Sequence, residues 1–284
     1  MLDTASATEA PAKQEYYFRH SLFQRLMHGV LMPTFVGLAA TGLPLKFSEA
    51  RWSESIARAM GGFGAILFFH KVLATVLTLQ MVIHVIYVVY LSAVKRQKGV
   101  LWGATSMTPQ PRDAIEMIQH FRFFFGLTNE HPRFGRYTYW EKFDYMAVFW
   151  GMFIIGGSGF LMWFSEFFAK FLSGSIFNAA LIVHSEEALL AVWFIFTVHI
   201  FNSHLRPEKF PMDLVIFTGR ETIEELAEAR PAEYERLVTE GTLDQQIAPD
   251  PPLWLRNFGR LVGLGIVLSG VTVFFLTVIA VIGE

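Results

Sequence analysis

Residues 63–94 read FGAILFFHKVLATVLTLQMVIHVIYVVYLSAV. The stretch holds one Lys and no Asp, Glu or Arg, and it exceeds the ~20 apolar residues that an α-helix needs to cross ~30 Å of hydrocarbon. It predicts a membrane-spanning helix. Two histidines, His70 and His84, interrupt its apolar run. Polar side chains are costly inside a bilayer, so an intramembrane histidine points to function.

Working outward, four more stretches qualify as spans: 25–47, 143–164, 175–204 and 258–282. Composition agrees. Of 284 residues 53% are hydrophobic and 17% charged, against about a quarter charged in soluble domains. A net charge of −2 argues against a nucleic-acid partner. The chain has no Cys, which excludes disulfides, thiolate metal sites and covalent c-type haem. Residues 1–15 are polar without an apolar signal-peptide core, so no cleavage is expected.

Between the second and third spans, 95–142 is polar, with an interfacial helix expected at 112–127 whose Phe121, Phe123, Phe124 and Phe125 would lie among headgroups. Between the fourth and fifth, ETIEELAEARPAEYERLVTEG (221–241) reads as an acidic soluble helical hairpin broken at Pro231, and APDPP (248–252) as a linker. Basic residues concentrate in these two loops, as Lys95, Arg96, Lys98, Arg112, Arg122, Arg133 and Arg136 in one and Arg206, Lys209 and Arg220 in the other. By the positive-inside rule both loops and the N-terminus are cytoplasmic and the C-terminus is outside. A weak repeat links TGLPLKFSEA (41–50), ending the first span, to SGFLMWFSEF (158–167), ending the third. Each precedes a span bearing two histidines.

His70 and His84 are 14 residues apart, and His184 and His199 of the fourth span 15 apart. At ~1.5 Å and ~100° per residue, each pair spans ~21–23 Å and returns to within about 40–60° of one face. The second and fourth spans run in the same direction, so His70 stands level with His184 near the outer side, and His84 with His199 near the inner side. Two neighbouring helices could then clamp a flat macrocycle at each level between neutral imidazoles, which are good haem ligands. His28 of the first span lies at the inner level too, leaving three histidines for two inner positions. His20, His120 and His131 fall outside the spans and read as surface residues. The expected fold is all-α: an integral membrane four-helix haem-binding bundle (25–204) after a cytoplasmic N-terminal segment (1–24), then a cytoplasmic helical segment (205–257) and a fifth transmembrane helix (258–284).

The residues QRLMHGVL and ATGLPLKF in the first span, FHKVLA with His84 in the second, and HSEEALLAVWFIFTVH followed by RPEKFPM at the fourth resemble the membrane cytochrome b subunits of respiratory formate dehydrogenases, nickel–iron hydrogenases and thiosulfate reductases. The resemblance covers the first four spans. It implies two bis-histidine haems b, exchange of electrons with a membrane quinone (menaquinone or ubiquinone), and a partner subunit bearing haem c, iron–sulfur or molybdenum centres. It also implies an inner-membrane location and the ligands His28, His70, His184 and His199. The level argument prefers His84 where the resemblance prefers His28, and the reading taken here is His28 with His199, with His84 as the alternative. If His28 ligates with His199, His84 is a neighbour, a ligand of a third haem, or part of a quinone pocket.

Other residues carry two readings. Lys71 either pairs with a haem propionate or snorkels, and Arg25 and Arg206 are inner anchors or propionate partners. Glu186 and Glu187 support a ligand imidazole, relay protons, or simply start a helix. Gly29, Gly37, Gly42, Gly151, Gly156, Gly157 and Gly159 permit close approach of a macrocycle or of another helix. Two other functions remain open, a histidine relay for protons or transport and a cofactor-free anchor.

Overall fold

The computed structural model describes residues 14–206, 209–210 and 212–282. Residues 1–13 of the expected N-terminal segment, residues 283–284, and Pro207, Glu208 and Pro211 of the RPEKFPM motif lie outside the described residues. Five helices are long and apolar enough to cross a membrane: Leu22–Lys46, Phe63–Val94, Tyr139–Trp163, Gly174–Leu205 and Leu253–Ile282. The chain is an all-α membrane bundle. Few residues in the spans are buried against protein, and large apolar side chains such as Leu79, Ile86, Phe153 and Leu181 face outward. Water would penalise such a surface, whereas lipid accepts it.

Three spans begin three to five residues earlier than hydropathy alone predicts, for two of them because a polar cap sets the start. Ser21 accepts from the Gln24 amide and the Gln24 side chain accepts from the Ser21 amide; Thr138 and Glu141 form the same reciprocal box on the third span. Each box satisfies two otherwise orphaned amides. The spans are not uniform helix. π turns interrupt them at Tyr90–Val94, Met152–Gly156, Ile195–His199 and Phe201–Leu205.

The first span packs along the second, the third against the fourth, and the fifth against the fourth and first. At the fifth-to-fourth contact the Phe196 ring lies over Gly270, and Trp193 meets Phe274 with ring centres 5.1 Å apart.

One end of the bundle carries a cap. Its acidic hairpin is present as Ile223–Ala229 and Pro231–Thr239. Three very short strands were not expected: β1 (Tyr16–Phe18), β2 (Arg220–Thr222) and β3 (Ile247–Ala248), antiparallel in the order β2-β1-β3 with Tyr17 opposite Glu221 and Ile247. They tie the N-terminal segment to the fourth-to-fifth connection. Tyr17 packs with Leu226 and Leu237 of the hairpin as the cap's small core. Beneath it runs a buried ionic network. Arg230 meets Glu221 at 2.6 Å and Glu141 at 3.1 Å, and Arg19 meets Glu141 at 3.1 Å and Glu221 at 3.5 Å.

The interfacial helix is Pro111–Phe124. Its outer face exposes Ile115, Ile118, Phe121 and Phe124. Its inner face is bound to the third span by Lys142–Asp113 at 2.7 Å. His120, expected at the surface, is instead buried, its Nδ1 3.1 Å from the Tyr139 hydroxyl, among Phe134, Trp140 and His131. The side chain can be buried there because aromatic rings surround it and a hydroxyl meets its polar edge.

Candidate functional site

Four of the five intramembrane histidines meet as two pairs. His70 of the second span faces His184 of the fourth with ring centres 6.2 Å apart and planes at 73°. His28 of the first span faces His199 of the fourth with ring centres 6.3 Å apart and planes at 30°. The fifth, His84, stands apart from both: its Nε2 lies 3.0 Å from the Tyr145 hydroxyl and its ring packs on Tyr145 and Phe149 of the third span. The level argument preferred His84 for the inner position. In the structure the ring beside His199 is that of His28, the histidine that the resemblance implied, and His84 is turned toward the third span.

The seats of His70 and His184 are alike. Thr41 Oγ1 donates to the Gly37 carbonyl at 2.7 Å, so at 2.9 Å it accepts from His70 Nδ1. The imidazole edge lies on Gly42, where an added Cβ would come within 3.2 Å of His70 Cε1. Opposite, Ser158 Oγ donates to Ile154 at 2.6 Å and lies 3.4 Å from His184 Nδ1. The His184 ring lies on Gly159, where a Cβ would come within 2.9 Å of Cε1. The sequence repeat therefore has a physical meaning: its Thr41-Gly42 and Ser158-Gly159 steps each place a hydroxyl and a bare backbone against an imidazole.

Hydrogen bonds also fix which nitrogen is free. His184 Nδ1 donates to the Ile155 carbonyl at 2.8 Å, and Ile155 lies in the π turn Met152–Gly156. Such a turn disrupts the i→i−4 ladder and recurs at functional sites. His199, the last residue of the π turn Ile195–His199, donates from Nδ1 to Asp144 Oδ2 at 2.8 Å. With Nδ1 protonated in His70, His184 and His199, the Nε2 lone pair of each is available to a metal. Asp144 was not singled out from the sequence. Its place as the single carboxylate of 143–164 was the available signal.

These pairs fit a haem. Two imidazoles bound on opposite sides of one metal, through bonds of ~2.0–2.1 Å and with about 1.1 Å more from each nitrogen to its ring centre, stand ~6.3 Å apart. Both measured spacings match. At the His28–His199 pair, His28 Nδ1 is buried without a hydrogen-bond partner among the described residues. No three His, Asp or Glu side chains converge among the described residues, so each donor set is a pair, as an iron already held by four macrocycle nitrogens requires.

A family profile described as prokaryotic cytochrome b561 matches residues 19–205. The chain belongs to that family. A search of curated proteins gave no match. As a prokaryotic cytochrome b561 the chain is a multi-pass membrane protein of haem b electron transfer, and the family resemblance drawn from its sequence holds. The matched residues contain all four paired histidines and stop before the fifth span.

The remaining candidate residues take these places. Lys71 Nζ lies 5.3 Å from the centre of the Trp163 ring. Arg25 donates from Nε to the Phe217 carbonyl at 2.8 Å, holding the turn Val215–Thr218 of the cap. Arg206 sits 5.1 Å over the Trp140 ring. Glu186 pairs with Lys46 at 2.7 Å, and His184 Nδ1 takes a backbone carbonyl rather than a glutamate. Gly37 receives Leu73, while a Cβ at Gly29 would meet nothing within 4 Å.

Proposed function

We propose that this cytochrome b561 holds two haems b and moves electrons between membrane quinone and a redox partner subunit. The carrying observation is the two imidazole pairs, each at the spacing a single iron requires, at two depths of the same four-helix bundle. His184 and His199 on one helix set the depths ~22 Å apart. His70 and His184 hold the outer haem, and His28 and His199 hold the inner one. When bound, haem iron supplies a one-electron ferric/ferrous couple. The chain's residues fix the imidazole tautomers, exclude water and set the two depths.

A proton relay is less well supported. Between His70 and His84 the hydroxyls of Thr75 and Thr78 donate back to their own helix at Lys71 and Ala74, and Gln80 donates to the Met27 carbonyl of the first span. None of these joins the two histidines.

In this reading the cap and the interfacial helix face the cytoplasm of an inner membrane, as the basic residues of 95–138 and 206–252 favour. Quinone reacts near the inner haem. The partner, a multihaem cytochrome c or an iron–sulfur or molybdenum subunit, docks over the outer pair, where only short connections at 47–62 and 164–173 intervene. Cross-linkers at Trp52 and Lys170 in native membranes should capture a periplasmic redox protein. Capture of cytoplasmic proteins alone, from 95–138 or 206–252, contradicts the orientation.

Haem content tests the core of the reading. The purified chain should carry two haems b. His70→Ala and His184→Ala should each lose the same one, His28→Ala and His199→Ala the other, and His84→Ala neither. Two haems in either His199→Ala or His184→Ala would refute the assignment.

A further inference from the structure

Of the three ligand candidates whose Nδ1 has a partner, two donate to neutral oxygens. His70 donates to the Thr41 hydroxyl and His184 to the Ile155 carbonyl. His199 alone donates to a carboxylate, Asp144 Oδ2 at 2.8 Å. Both side chains are largely shielded, at 29% and 17% exposure. At low effective dielectric a charge-assisted hydrogen bond is about twice as strong as a neutral one. It pulls the Nδ1 proton toward the carboxylate and leaves more electron density on Nε2. A carboxylate placed behind a ligating imidazole raises ligand basicity and fixes the ring's orientation. A more basic ligand favours ferric over ferrous iron. The negative charge of the Asp144 carboxylate would act in the same direction on an iron held by His199.

Resting on the two-haem reading, we infer that Asp144 is a positioning residue that makes His199 an electron-rich ligand and thereby lowers the reduction potential of the inner haem, with no counterpart at the outer haem. The asymmetry is built from one side chain on the third span. It gives an electron moving through the bundle two unequal stations instead of two equivalent ones.

A mere tie between the third and fourth spans would be served equally by a neutral acceptor of the same shape, and Asp144→Asn provides one. The experiment is a spectroelectrochemical titration of the purified full chain, with electron paramagnetic resonance of the ferric haems, on wild type, Asp144→Asn and Asp144→Glu. In Asp144→Asn the ferrous-to-ferric ratio of the inner haem at fixed poise should rise about tenfold, ~59 mV for a one-electron couple. The outer haem should not move, and only the inner haem's low-spin signal should shift. The haem absent from His199→Ala identifies which is which. Asp144→Glu should keep both haems and stay near the wild-type potential. Loss of the inner haem in Asp144→Asn with its retention in Asp144→Glu also supports a need for the carboxylate. An unchanged inner potential in Asp144→Asn overturns the inference, as does equal loss of the inner haem in both variants. If the wild-type chain lacks two haems, or His199→Ala keeps both, the two-haem reading falls and this inference falls with it. An unshifted Asp144→Asn beside two intact haems condemns the inference alone.

Discussion

At His184 and at His70 the ring rests on a glycine, and the tolerance differs between the two. A methyl group on Gly159 would come within 2.9 Å of Cε1 and 3.1 Å of Nδ1, whereas on Gly42 its nearest approach to the ring is 3.2 Å. Overpacking in a close-packed interior costs about 1–3 kcal/mol because neighbours must leave their rotamers. An imidazole held at Nδ1 has less freedom to move than most neighbours. On the proposed two-haem reading, Gly159→Val should therefore remove most of the haem held by His70 and His184 and leave the other, read as a fall from two haems per chain toward one. Gly42→Ala should cause a milder loss at the same site. Gly29→Ala, with open space at its Cβ, should keep both. Full haem content in Gly159→Val would show that the His184 seat is not tight.

The fifth span lies outside the matched family residues, yet it braces the element that presents His199. Phe196 belongs to the π turn ending at His199, and its ring lies on Gly270 of the fifth span. Gly270→Leu should push that ring away, broaden or shift the inner haem's spectrum, and leave the outer haem unaltered; equal effects on both haems would count against the brace. None of this was legible beforehand. Hydropathy revealed the five spans because length and apolarity suffice to identify them. It placed three of the starts too late, although for two of them S-x-x-Q at 21–24 and T-x-x-E at 138–141 are capping boxes readable from sequence. The strands, two or three residues each, are too short for alternation to register. The histidine depths were legible, since rise per residue fixes them. Spacing alone did not separate His28 from His84 as the neighbour of His199, because that depends on how one helix is turned toward another; the resemblance pointed to His28. Asp144 was visible as a charge in a span, but its link to His199 crosses 55 positions.

Over the whole molecule the cap is clasped to the bundle mainly by charge. Glu221 is about 1% exposed and is bracketed by Arg230, Arg19 and Lys209, and Arg230 also reaches Glu141 at the head of the third span. Burial alone would push the Glu221 carboxyl up; Arg230, then Arg19 and Lys209, more than offset this and hold it below the ordinary glutamate value. Burial pulls Arg230 down, and Glu221 followed by Glu141 raises it above its usual value. The sign of the pH dependence follows. A carboxylate whose docked pKa is depressed contributes its full stabilisation above its undocked value of about 4.3. That contribution disappears as pH falls through the depressed native value. The cap should therefore stay docked from neutrality to about pH 5 and loosen below about pH 4. Limited proteolysis within 223–246, or hydrogen exchange at the β1 amides, in membranes stepped from pH 7 to pH 3 reads this directly. Arg230→Met should produce the loosening at neutral pH, because Glu221 loses its nearest cation and Arg19 and Lys209, at 3.5 and 3.6 Å, compensate the buried carboxylate less well. Adding Glu221→Leu to that variant removes the stranded charge and should restore much of the docking at neutral pH. A cap that stays closed in Arg230→Met, or opens equally in the double variant, would mean that the Tyr17–Leu226–Leu237 core rather than the ionic network holds it.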